Sequence, residues 1–196
     1  FCLSASLLFL LAANLRQRGR YYLAAYACMG FAFLTKGLIG IVLPGLVYFA
    51  FLMWTKNFKE IKNMKLIWGL VILSAEILPW WLQVTARKPE FFNTFIIEQH
   101  FTRFATGSFG RRKPFWFFVP ILFAASFPWS LFLPAAVISG LRREGPERRK
   151  IQYLICWIAV ILIFFSIPKS KLPYYLLPVS VAAAILTADF LAVWIK

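Results

Sequence analysis

Seven apolar stretches, separated by short segments rich in lysine and arginine, constrain this chain more than any single motif. They run from Phe1 to Leu15, Tyr21 to Leu34, Leu38 to Trp54, Leu66 to Gln83, Phe115 to Leu141, Ile151 to Ile167 and Tyr174 to Ile195. A helix needs roughly 20 apolar residues to cross a hydrocarbon layer of about 30 Å, and somewhat fewer where flanking side chains snorkel or the bilayer thins. With 61% hydrophobic residues and a mean hydropathy of +0.73, the chain is too apolar for a soluble domain. The expected fold is therefore all-α and integral to a membrane, with about seven transmembrane helices in one partial domain over residues 1–196. The start at Phe1, without Met and inside an apolar run, is read as that of an internal fragment.

The net charge of +15 lies in clusters between the apolar stretches, which is the pattern of loops rather than of a nucleic-acid face. Threading the spans makes the loops alternate sides. One side receives Arg16, Arg18 and Arg20, then Lys56, Lys59, Lys62 and Lys65, then Arg142, Arg143, Arg148, Arg149 and Lys150, with Lys196 last. Short basic loops of this kind stay on the cytoplasmic side. The other side receives the Thr35-Lys36-Gly37 turn, the long connection from Val84 to Lys113 and the short one from Pro168 to Pro173. Function is expected on that outer side. Cys2, Cys28 and Cys156 are single and embedded in apolar runs, so they form neither a disulfide framework nor a metal motif.

Pro120, Pro128 and Pro134 fall in the fifth stretch, where each removes a backbone donor, so that span is expected to be kinked or tilted. The connection from Val84 to Lys113 is too long for a turn and is expected to hold an interfacial helix starting near Lys88-Pro89-Glu90. On that helix Phe91, Phe92, Phe95 and Ile96 share an apolar sector, while Gln99, His100 and Arg103 share another. His100 and Arg103 can thus address one ligand, or simply meet lipid headgroups.

Between Pro168 and Pro173 the sequence places Lys169 and Lys171, followed by Tyr174 and Tyr175. A stiff loop with two cations and adjacent hydroxyls can grip a phosphate; the plainer reading is a polar turn beside an aromatic belt. Glu76 in the fourth stretch and Asp189 in the seventh are costly inside a membrane, and neither has an obvious partner in the sequence.

Several ordered strings add to this reading: Phe33-Leu34-Thr35-Lys36-Gly37, Leu78-Pro79-Trp80-Trp81 and Glu98-Gln99-His100-Phe101-Thr102-Arg103-Phe104. Arg112-Lys113-Pro114-Phe115-Trp116-Phe117, Phe127-Pro128-Trp129-Ser130 and Ser170-Lys171-Leu172-Pro173-Tyr174-Tyr175-Leu176-Leu177-Pro178 follow. Together they resemble the ArnT-like branch of lipid-linked-sugar glycosyltransferases, related to protein O-mannosyltransferases, over nearly the whole chain.

The resemblance implies a GT-C type enzyme of a bacterial inner membrane. Such an enzyme moves a sugar from a polyprenyl-phosphate carrier to a lipid A, glycan or protein acceptor on the periplasmic or extracellular side, with no nucleotide. It implies Arg103, Lys171 and Tyr175 as donors to the carrier phosphate, with Tyr174 and Lys169 beside them. It makes His100 a candidate contributor to a divalent metal site whose other ligands lie elsewhere. The family's catalytic acids sit in an earlier outer loop, so none of the seven acids here is assigned that role and the chain alone is expected to be inactive. The competing reading is a transporter or flippase bundle with Glu76 at midplane, which would need polar residues and broken helices gathered there.

Overall fold

The computed structural model describes residues 1–88, 90, 113–168 and 171–194, and among these the regular structure is entirely helical. Helices α1 (Cys2–Arg16), α2 (Gly19–Lys36), α3 (Ile39–Thr55) and α4 (Leu66–Arg87) follow one another through short connections. The next two, α5 (Phe118–Ala125) and α6 (Leu133–Leu141), are short; α7 (Gly145–Ser166) and α8 (Leu177–Trp194) close the bundle. The interfacial helix expected beyond Lys88 lies outside the described residues, as do His100 and Arg103. By length and apolarity, residues 66–87, 145–166 and 173–193 can each cross a membrane, and the α5–α6 pair can supply a fourth crossing. Helices α1 and α3 are apolar but shorter. The chain is an integral membrane protein.

Helix α2 packs against α1, α3 and α4, α3 against α7, and α7 against α8, while α1 also reaches α3, α7 and α8. Aromatic side chains fill the junction of α1, α3 and α7. Tyr153 meets Tyr48 at 6.4 Å, Phe51 at 5.3 Å and Trp157 at 6.4 Å between ring centres. The Tyr153 hydroxyl donates to the Leu7 carbonyl at 2.8 Å, so this wholly buried ring also satisfies its polar end. Helix α4 is seated differently. Of its residues only Gly69 is buried, and a side chain there would strike the Tyr26 ring. Reciprocally, a Cβ on Gly30 of α2 would strike the Glu76 carboxyl. Each helix thus offers a glycine to the other's large side chain, which permits close approach in lipid.

The fifth span differs from the single kinked helix its prolines suggest. Its two halves, residues 115–125 and 129–141, meet at 111°, with the break at residues 126–128. The span nonetheless crosses. Its first end lies at Lys113, whose carbonyl accepts from Lys171, and its last turn lies at Gly140, where a Cβ would strike Ile151 near the start of α7. At the elbow the Phe127 amide turns to the Ala124 carbonyl, and the buried Ser130 hydroxyl donates to the Phe123 carbonyl at 2.7 Å. A hydroxyl thereby satisfies a main-chain acceptor that the broken helix leaves behind.

The loop clusters separate as threading requires. At the basic end Gln17 bonds Glu60 at 2.9 Å and Tyr26 bonds the Met64 carbonyl at 2.9 Å, joining the first two arginine and lysine clusters. Asp189, expected to lack a partner, is here an acceptor for both Arg143 and Lys150, which also pairs with Glu147 at 3.3 Å. These groups come from α7, α8 and the segment after α6, so the acid is held by basic side chains at the span's end rather than by headgroups. Glu76 has no such company: its Oε2 is buried without a hydrogen-bond partner among the described residues.

Candidate functional site: the mouth opposite the basic loops

At the far end of the bundle, three connections converge. Helix α2 stops because Gly37 adopts a φ of 71°, a conformation that glycine accepts without a Cβ clash, and its amide caps the Phe33 carbonyl at 2.7 Å. This stop leaves Lys36 on the last turn. Its ammonium lies 5.8 Å from the centre of the Tyr174 ring, within cation–π range. Tyr174 is half exposed and stands edge-on to Tyr175 at 5.0 Å, while Tyr175 stacks on Phe165 at 4.8 Å. The two tyrosines therefore have different settings: Tyr174 faces a cation at the mouth, and Tyr175 is held against α7.

Lys171 is the most constrained group here. The chain is extended at Leu172 and then tightens into a 3-10 turn over Pro173–Leu176, which draws the Lys171 side chain inward. It is 3% exposed, and its ammonium donates to the carbonyls of Pro168 at 2.6 Å and Lys113 at 3.2 Å. Desolvation holds its pKa below the usual lysine value. Lys113 stands beside it in the chain path, its own ammonium 5.7 Å from the Phe117 ring. Among the described residues, the ion pairs formed all lie at the basic end, and none involves Lys36, Lys113 or Lys171. Among the described residues the mouth thus gathers cations and tyrosines with no carboxylate paired to them.

Of the residues singled out in the sequence, Lys171, Tyr174 and Tyr175 come together here, while Arg103, Lys169 and His100 lie outside the described residues. Lys36 and the Lys113 carbonyl join the mouth, although in the sequence both residues stand out only as members of motifs. The signal for Lys36 was its turn's place on the outer side of the threaded chain. Among the described residues no three His, Cys, Asp or Glu side chains gather as metal ligands would. Among the described residues the acids needed to gate a transporter at midplane are not gathered either: Glu76 faces Gly30, and its buried Oε2 has no hydrogen-bond partner there.

Comparison with known proteins gives this geometry a family. Residues 1–82 match the dolichyl-phosphate-mannose-protein mannosyltransferase family. The chain is 36% identical over 175 residues to the undecaprenyl phosphate-alpha-4-amino-4-deoxy-L-arabinose arabinosyl transferase of Serratia proteamaculans, covering 88% of this chain and 30% of that protein. It is 33% identical over 178 residues to a Pseudomonas fluorescens enzyme of the same name, covering 90% of this chain and 31% of the relative. The crystal structure of ArnT from Cupriavidus metallidurans bound to undecaprenyl phosphate superposes with a TM-score of 0.81 at 32% identity, over 95% of this chain and 34% of that one. Its apo form gives 0.77 over 94% of this chain and 34% of that one. The chain spans about 30% of the length of these curated relatives. By sequence over most of its length and by fold, the chain is similar to the ArnT-like proteins of GT-C type.

Proposed function

We propose that this chain forms the carrier-binding part of a membrane glycosyltransferase, and that its far mouth receives the phosphate of a polyprenyl-phosphate-linked sugar. The observation that carries this reading is Lys171: a buried ammonium bonded to two carbonyls and, among the described residues, to no carboxylate. Such a cation is poised for an anion arriving from outside, with Lys36 on the Tyr174 ring at the same mouth and Tyr175 beside it. In sugar transfer the polyprenyl phosphate is the leaving group. Positive donors fixed around it stabilise the charge that develops as the glycosidic bond breaks. Arg103 and Lys169 complete the donor set in this proposal, and the acceptor is activated by a carboxylate from another part of the protein.

The names of the relatives support an undecaprenyl-phosphate-linked 4-amino-4-deoxy-L-arabinose as the donor. The basic loops support a cytoplasmic placement for the end bearing Arg16, Lys62 and Arg148, and with it a Lys171 mouth facing the periplasm from the inner membrane as part of this proposal. A divalent ion belongs to this proposal only through His100, and no step here is routed through it.

The test is a transfer assay on the full-length protein in proteoliposomes. Replacing Lys171 by Ala should lower kcat/KM for the polyprenyl-phosphate sugar roughly 10- to 100-fold, the range for losing a charge-assisted hydrogen bond, with insertion intact. Wild-type turnover in both Lys171→Ala and Arg103→Ala proteins would falsify the assignment.

A further inference from the structure

At the opposite end of the bundle a second cationic recess takes no part in the mouth just described. It is a pocket of about 270 Å³ between the α1–α2 turn and the 3-10 turn Phe58–Met64, lined by Gln17, Gly19, Tyr22, Lys62, Asn63 and Lys65. Two left-handed residues shape it. Gln17 at φ 50° ends α1, and Lys65 at φ 49° ends the 3-10 turn, so both side chains come to one opening. Gly19 makes room for one of them: a Cβ there would stand 2.6 Å from Cε of Lys65 and 3.2 Å from its Nζ.

The pocket's one neighbouring acid is already occupied. Buried Glu60 accepts from Gln17 at 2.9 Å and Asn57 at 3.4 Å through one oxygen, and from Tyr22 at 3.5 Å and Asn63 at 3.4 Å through the other. Its charge is spread over four donors that fix the pocket's inner wall. Lys62 and Lys65 at the rim have no carboxylate partner among the described residues. The result is a recess with a rigid amide and phenol wall and two uncommitted ammonium groups, at the level of the loops that flank the spans.

We propose that this pocket binds a phosphate group, supplied by an anionic phospholipid headgroup of the adjoining leaflet or by a soluble phosphate compound. Lys62 and Lys65 supply the charge, and Asn63, with one amide N–H held by Glu60, turns the other to the phosphate, while Gln17 gives its two N–H to Glu60 and to the Asn14 carbonyl and so braces the wall. The site would tie the α1–α2 turn to the turn before α4, the helix least buried in this bundle.

The experiment measures thermal unfolding of the full-length protein in neutral detergent against short-chain phosphatidylglycerol, with phosphatidylcholine of equal chain length as control and inorganic phosphate as a separate arm. Phosphatidylglycerol or inorganic phosphate should raise the midpoint saturably. The Lys62→Gln/Lys65→Gln protein should bind about 30-fold more weakly, from roughly fivefold per lysine. A Lys56→Gln/Lys59→Gln protein, altered on the same loop but outside the pocket, should stay within about twofold. Gly19→Ala keeps both charges while displacing Lys65, and should weaken binding severalfold; it serves if the double variant does not fold. Phosphatidylglycerol acting alone assigns the pocket to a lipid headgroup, and inorganic phosphate competing with it assigns a soluble ligand. Equal weakening in both double variants, or phosphatidylcholine acting as well as phosphatidylglycerol, overturns the proposal, as does the absence of any response.

Discussion

The ammonium of Lys36 stands 5.8 Å above the ring of Tyr174, joining the turn after α2 to the turn before α8 at one mouth. The contact needs an aromatic face, not a hydroxyl. Tyr174→Phe should therefore leave the KM for a polyprenyl-phosphate sugar within about twofold, while Tyr174→Ala raises it roughly three- to tenfold, the scale of an exposed cation–π contact. Equal effects of the two substitutions would show that the hydroxyl, rather than the ring, matters.

Lys171 makes a prediction with a sign. Its pKa is lowered in the folded bundle, so between that value and the ordinary lysine range the unfolded chain holds more protons, and stability rises with pH across that window. Phosphate binding acts in the opposite sense, because an anion favours the charged ammonium. Carrier affinity of the full-length protein should fall as pH climbs through the depressed Lys171 value. Lys171→Arg stays charged throughout and should flatten that fall. An identical pH profile in the two proteins would remove Lys171 from the phosphate contact.

The elbow of the fifth span depends on Ser130. Replacing it by Ala strands the Phe123 carbonyl inside the membrane and should cost about 1–3 kcal/mol, read as a lowered midpoint in detergent unfolding. Ser130→Thr, which keeps the hydroxyl, should recover most of the loss. Matching midpoints for Ala and wild type would mean another donor replaces it.

Asp189 holds two cations, Arg143 and Lys150, and removing it leaves them facing one another. Asp189→Asn is expected to destabilise by about 2 kcal/mol. Adding Arg143→Gln to that variant should cost less than the two single changes summed, since one of the competing charges is gone. Strict additivity in a double-mutant cycle would argue against a shared cluster.

The α2–α4 seat rests on small residues. Gly69→Ala places a methyl group 2.5 Å from the Tyr26 ring and should cost about 1–3 kcal/mol. Gly45, which faces open space, should accept the same change with little loss. If both variants unfold alike, α4 does not dock through Gly69.

The arrangement of ends was the most legible property, because apolar length and loop charge are independent signals that must agree. The pairing of Lys36 with Tyr174 and of Gln17 with Glu60 keeps the two loop sets apart as threading requires. The elbow at residues 126–128 was only half legible. Prolines announce a break in the ladder but not its 111° size, and the span's ends meet α7 and the loop before α8 through contacts at Lys113 and Gly140 that no local pattern records. Asp189 was read as solitary for a related reason: Arg143 and Lys150 are neighbours only after α6, α7 and α8 pack. At the mouth, Lys171, Tyr174 and Tyr175 could be found through their motif. Lys113 could not, because its part in the site is played by a carbonyl that no side-chain pattern records.

Burial of Lys171 fixes when its hydration is lost. The shell of water leaves as the bundle assembles, so the penalty falls on folding and is complete before any carrier arrives. An incoming phosphate would meet a cation already stripped of water and held by the Pro168 and Lys113 carbonyls, with one N–H left to offer. Preorganisation of this kind moves the cost of stripping the cation out of the binding step and into assembly of the bundle.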